Sequence, residues 1–243
     1  MHRMRRLAVL SGLILTSMTA LGHNASAALI RNPATRSFPD VSADINGTVN
    51  YTYNPSSGTG QFVVNNTPYL VAGGPTAASE FAVTPMADGT RRQSLDITLD
   101  SQGNLVPGPN NTYELWGQIV ANGQTISGLL LKGTPTSFGS LDLGAAAQGM
   151  SVFDLNMTVT GGALASFFGP DAYMRITPEL DSTFQGRFDQ NFSAIKATSN
   201  TRAYNSPQPF PVPEPTTLLV VLAGSAGLAY RHRTRLRRAV TGH

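Results

Sequence analysis

Histidine and cysteine, the side chains most often used for nucleophilic and metal chemistry, are missing from the middle of this chain. The four histidines are His2, His23, His232 and His243, and there is no cysteine. Between residues 28 and 230 this excludes Ser-His-Asp and Cys-His nucleophilic sites, together with ordinary zinc sites. No P-loop or dinucleotide-binding glycine pattern occurs, and Gly73-Gly74 and Gly161-Gly162 read as turns. Carboxylates remain. Asp96 and Asp100 fall on one face of "SLDITLD", and Asp154 lies in "FDLNMTVT". A glycosidase needs two carboxyls about 5–10 Å apart across a sugar, and two such strands could carry them. Solvent-facing Asp on a β domain is the plainer reading. "DSQGN" at 100–104 resembles half a calcium loop but lacks the spacing of ligands that a full loop needs, so a turn is expected. Trp116, Tyr51, Tyr53, Tyr69 and Tyr113 are candidates for a sugar-stacking platform, although a lone Trp on a strand reads first as core. The sequence therefore predicts a non-enzymatic chain with no catalytic residue, cofactor or metal.

The elements that would position these groups are short strands. In "SLDITLD", Leu95, Ile97 and Leu99 alternate with polar residues, and Phe153, Leu155, Met157 and Val159 do the same in "FDLNMTVT". Period-two alternation of this kind makes a half-buried strand. "TYELWGQIVA" and "QTISGLLLKGT" flank Asn122-Gly123, a type I′ hairpin signal. No long helical period appears in the body. The expectation is an all-β fold: a single β-sandwich-like (jelly-roll-like) domain of about nine to eleven strands. Without cysteine, core burial alone must hold it together.

Charge separates the ends from the body. Residues 28–230 contain nine basic residues against all fourteen acidic ones, a net charge of −5, while the remaining arginines lie at the two ends. Nucleic acid is thereby excluded as a partner, since phosphate binding needs clustered Lys and Arg. "MHRMRR", the apolar run after it and Ala25-Ser26-Ala27 form the three parts of a signal peptide, predicted to be cut by signal peptidase before Ala28. Prolines at 207, 209, 211, 213 and 215 predict an extended spacer. An apolar run at 216–230 follows, then Arg231, Arg233, Arg235, Arg237 and Arg238. As a helix that run spans roughly 22 Å. The arginines would hold its end in the cytoplasm.

Val212-Pro213-Glu214-Pro215, the apolar run with its small residues, and the arginine cluster together resemble the PEP-CTERM sorting signal. The resemblance implies a signal helix, a C-terminal transmembrane helix and handling by an exosortase-type membrane protease. It also implies an exported protein, anchored transiently in the inner membrane and then held at the cell surface or in an extracellular matrix. The expected organisation is a signal peptide (1–27), an arm (28–45), a β domain (46–198), a Pro-rich linker (199–211), the sorting signal (212–238) and a tail (239–243). Extracellular polysaccharide is a further expected partner, and a glycan-binding module is the alternative function.

Overall fold

The computed structural model describes residues 29–30, 37–121, 123–143, 150–178 and 182–204. The strands in them are β1 (Asp40–Asn54), β2 (Thr59–Asn66), β3 (Pro68–Ala72), β4 (Glu80–Ala82), β5 (Arg92–Asp100), β6 (Thr112–Ala121), β7 (Gln124–Asp142), β8 (Ser151–Gly161), β9 (Asp171–Pro178) and β10 (Phe192–Ala203). A single helical turn, α1 (Ala165–Phe168), joins β8 to β9. Every strand pairing is antiparallel.

The sheet runs β10-β9-β8-β7-β6-β5-β2-β1, and β10 also pairs with β1. That last pairing closes eight strands into a barrel and corrects the sandwich expectation. A sandwich and a barrel share the same inward/outward alternation, so the strand patterns cannot separate them. The two differ in a pairing between residues far apart, here from Asp40↔Arg202 to Tyr51↔Phe192. The barrel also begins at Asp40 and ends at Ala203, outside the 46–198 span at both ends. No helix among the described residues is long and apolar enough to cross a membrane. The signal helix and the helix expected at 216–230 both lie outside the described residues.

Strands β3 and β4 fill a gap in the wall. β1 pairs with β2 over Thr48–Asn54, but with β3 over Asp40–Ala43. β4 pairs with β3, and just beyond it Thr84 bridges Gln118 of β6. The β3–β4 hairpin thus spans from β1 to β6 beneath the ends of β2 and β5.

The interior is packed with side chains. Leu95, Ile97, Leu99, Leu115, Ile119, Phe153, Leu155 and Met174 are fully buried, each contributing roughly 1.5–3 kcal/mol relative to exposure. At one end Tyr51, Phe62, Phe138, Phe153 and Phe192 meet Phe184 and Phe188, which the β9–β10 connection drops into the mouth. The closest rings, Phe184 and Phe192, have centroids 4.7 Å apart, and Tyr51 Oη donates to the Phe188 carbonyl at 2.8 Å. At the other end Leu164 and Phe168, in and beside α1, close the barrel. Between them a polar cluster of Gln93, Tyr113, Ser199 and Thr201 is buried and internally hydrogen-bonded.

Candidate functional site

The outer wall carries a cleft whose construction follows from strand parity. In β6, Tyr113, Leu115, Gly117, Ile119 and Ala121 are buried while Thr112, Glu114, Trp116, Gln118 and Val120 alternate with them on the outside. Trp116 therefore faces outward, which corrects its reading as core. On β5, Arg92 pairs with Trp116 and Ser94 with Glu114, and on β7 Lys132 pairs with Glu114. Arg92, Trp116, Glu114 and Lys132 thus share one patch of the exterior across three strands.

The β4–β5 connection overhangs this patch. Thr84 and Gln118 exchange backbone hydrogen bonds of 2.8 and 2.9 Å. Val83 then packs where Gly117 has no side chain, since a Cβ on Gly117 would lie 2.7 Å from Val83 Cγ1. The chain must return to Arg92, one β5–β6 pair away, and it does so through a tight turn. Met86 N donates to the Thr90 carbonyl at 3.0 Å, and Thr90 N donates to Asp88 Oδ1 at 2.9 Å. Arg91 Nη1 ties the loop down on the Val83 carbonyl at 3.3 Å. The result is a cleft of about 310 Å³ lined by Met86, Asp88, Thr90, Arg92 and Trp116.

Its electrostatics centre on Glu114. Trp116 Nε1 donates to Glu114 Oε2 at 2.9 Å. Arg92 Nη2 lies 3.5 Å from Oε2 and Lys132 Nζ 3.4 Å from Oε1. The Arg92 guanidinium also sits over the indole ring, 5.5 Å from its centroid, a favourable cation–π placement. The indole hydrogen bond above all, then Lys132 and Arg92, hold the Glu114 carboxyl below its ordinary range. Asp88 is likewise held low, by the Thr90 backbone N–H.

Trp116 is the only tryptophan in the chain, so its emission reports on this hydrogen bond. A carboxylate with a lowered pKa keeps its interactions above that value and loses them as the pH falls through it. We expect an emission change whose midpoint lies below the ordinary glutamate value of 4.5, with the β signal in circular dichroism unchanged, and no such change in Glu114→Gln. A midpoint at or above the ordinary value would contradict an indole bound to a stabilised anion.

The other candidates from the sequence are scattered. Tyr51 and Tyr113 are inside the barrel, while Tyr69 is half exposed on β3 and Tyr53 is partly buried at the far end of β1. The five aromatic residues do not form one platform, and Trp116 alone belongs to the cleft. Asp96 and Asp154 are separated by β6 and β7, roughly 14 Å of sheet. Each carboxylate is engaged where it stands: Asp96 with Gln61, Asp100 with Asn104 and the Gln102 backbone, and Asp154 with Arg175 at 3.1 Å and the Ile30 N–H at 2.9 Å. Asp100 closes the 100–104 turn on itself, with its carboxyl held low by those hydrogen bonds against a raising contribution from burial. Asp154 is buried although it faces outward, because the segment at Ile30 covers it. Among the described residues no group of His, Cys, Asp and Glu is placed to hold a metal ion.

No family model, curated protein or solved structure matches this chain. The PEP-CTERM resemblance is corrected accordingly. It rested on a proline-flanked glutamate, a short apolar run and arginines, a pattern of composition that no matching family model supports. Val212, Pro213, Glu214 and Pro215, the five tail arginines, and Ala25, Ala27 and Ala28 all lie outside the described residues. With the family assignment go the exosortase partnership, the inner-membrane anchoring and the surface destination, and no matching family supports the signal peptidase partnership read from the N-terminal residues.

Proposed function

We propose that this barrel is a glycan-binding module and that the Trp116 cleft is its contact surface. The observation that carries the reading is an outward-facing tryptophan ringed by a carboxylate, two cations and a polar turn. A pyranose has an apolar C–H face and an edge of hydroxyls. An indole face takes the first, while Asp88 and Glu114 can accept from hydroxyls and Arg92 can donate to them. The Arg92 guanidinium lies over the indole with its Cζ 5.5 Å from the ring centroid, so its N–H groups are within reach of a sugar resting on the remaining indole surface. At about 310 Å³ the cleft lies at the lower end of the range for small-molecule sites.

The same electrostatics favour binding over hydrolysis. A glycosidase keeps one carboxyl protonated near neutral pH to serve as general acid. Asp88 in the cleft and Glu114 beside it are instead both shifted toward the ionised form. A glycan array probed with the full chain tests the proposal, followed by titration of any hit through Trp116 emission. Trp116→Ala should weaken binding about tenfold or more, as loss of a central aromatic anchor does. Binding that Trp116→Ala leaves unchanged would place the site elsewhere, and no binding across neutral and acidic glycans would overturn the reading.

A further inference from the structure

Resting on that reading, we propose that the cleft selects carboxylate-bearing glycans, the uronic acid class, over their neutral counterparts. The row Arg92–Glu114–Lys132 crosses three adjacent strands and sets two cations against one carboxylate. That row therefore carries one net positive charge, with Asp88 on the overhanging turn facing its Arg92 side, on a body whose net charge is −5. The cations also stand outermost. The side chains of Arg92 and Lys132 are 56% and 42% exposed, while that of Glu114 is 24% exposed beneath them.

Their grip on Glu114 is loose. At 3.5 and 3.4 Å the two ion pairs exceed the roughly 2.7–2.9 Å of a charge-assisted hydrogen bond. Arginine has five N–H donors and lysine three, so a single shared carboxylate leaves donors facing outward. An incoming carboxylate can bind the Lys132 head without displacing Glu114, whose Oε2 keeps the shorter bond from Trp116. Asp88 fixes the orientation. Its charge on the β4–β5 turn repels a ligand acid on that side and directs it toward Lys132, across β6 from the turn. The sugar ring then lies against Trp116 with its carboxylate against Lys132.

The test titrates the full chain with an oligogalacturonate and with the neutral galactose oligomer of the same length. We expect the uronate to bind about tenfold more tightly at low salt, consistent with one charge-assisted contact. That ratio should shrink from about 50 mM to about 500 mM salt as screening sets in. Lys132→Gln should lower the ratio several-fold and Lys132→Arg restore it, which a merely structural role for Lys132 would not produce. Equal affinities, or tighter neutral binding, would overturn the selectivity and leave the glycan reading standing. If neither oligomer binds and the array is blank, both fall together.

Discussion

Gly47→Ala should lower the unfolding free energy by about 3 kcal/mol, at the upper end of overpacking costs. Gly47 lies where β1 meets β10, opposite Ala197, with an irregularity in the pairing on either side. A Cβ there would sit 2.4 Å from the Ala197 carbonyl oxygen and 2.4 Å from Asn66 Nδ2. Neither neighbour can yield cheaply. The carbonyl belongs to the barrel backbone, and Asn66 Nδ2 donates to that same oxygen at 2.9 Å and to Ser199 Oγ at 3.2 Å. Relief requires β1 and β10 to part, which breaks the one pairing that makes this sheet a barrel. Gly161→Ala is the control, since a Cβ on Gly161 meets nothing within 4 Å and should change stability by no more than about 0.5 kcal/mol. Denaturant midpoints measure both, and equal midpoints would mean that the closure tolerates a side chain and is not built around Gly47.

Much of the wall could be read from the residues, because alternation is a local property. Leu95, Ile97 and Leu99 are inside, as "SLDITLD" implies, and the β6–β7 hairpin turns with Ala121 opposite Gln124 and Gly123 at φ +76°. Closure was not legible, because β1 and β10 lie more than a hundred residues apart and carry no mark of each other. The Trp116 cleft was half legible. In "TYELWGQIVA", Trp116 has the parity of Glu114 and Gln118 and not that of Leu115 and Ile119. That parity places it outside, and it outweighs the general preference of tryptophan for cores. Two other features depended on tertiary contacts alone. The β4–β5 loop reaches Trp116 because Thr84 bridges Gln118, and Asp154 is buried by a segment about 120 residues earlier in the chain.

The barrel and the cleft are mechanically joined. Val83 is buried against Gly117 inside the wall, and the turn bearing Asp88 and Thr90 begins two residues beyond Thr84. A loop anchored by a core residue at one end and by strand β5 at the other holds its polar groups close to a fixed geometry. Under the glycan-binding proposal, that anchoring lowers the ordering cost a ligand would otherwise meet at an open cleft with few contacts.

Gln93→Leu should cost about 2–3 kcal/mol although it replaces a polar side chain by an apolar one of similar size. Gln93 is fully buried, and its amide bridges walls of the barrel. Nε2 donates to Tyr113 Oη at 2.9 Å and to Thr201 Oγ1 at 2.8 Å, and Oε1 accepts from Ser199 Oγ at 2.7 Å. Tyr113 Oη in turn donates to Thr201 Oγ1 at 3.0 Å. β6 and β10 stand four places apart in a ring of eight strands, so this cluster ties opposite walls through the interior. Removing Gln93 leaves hydroxyls of Ser199 and Tyr113 short of a partner in a site without water access. Tyr113→Phe should cost less, about 1–1.5 kcal/mol, because Gln93 still reaches Thr201. The double variant should fall short of the sum by about 1 kcal/mol, as for groups in one hydrogen-bond network. Alkaline titration separates the two tyrosines involved in closing the interior. Burial pushes Tyr113 up from 10.0 to about 12, and burial raises Tyr51 as well. Between those values the unfolded chain releases the proton that the folded chain retains, so stability falls as the pH rises above 10, by up to roughly 1.4 kcal/mol per pH unit for each tyrosine. Tyr113→Phe should therefore flatten the alkaline loss without abolishing it, since Tyr51 still contributes. A slope identical to that of the parent chain would mean that Tyr113 is not held neutral by the barrel, and would remove the basis for treating the cluster as one closed network.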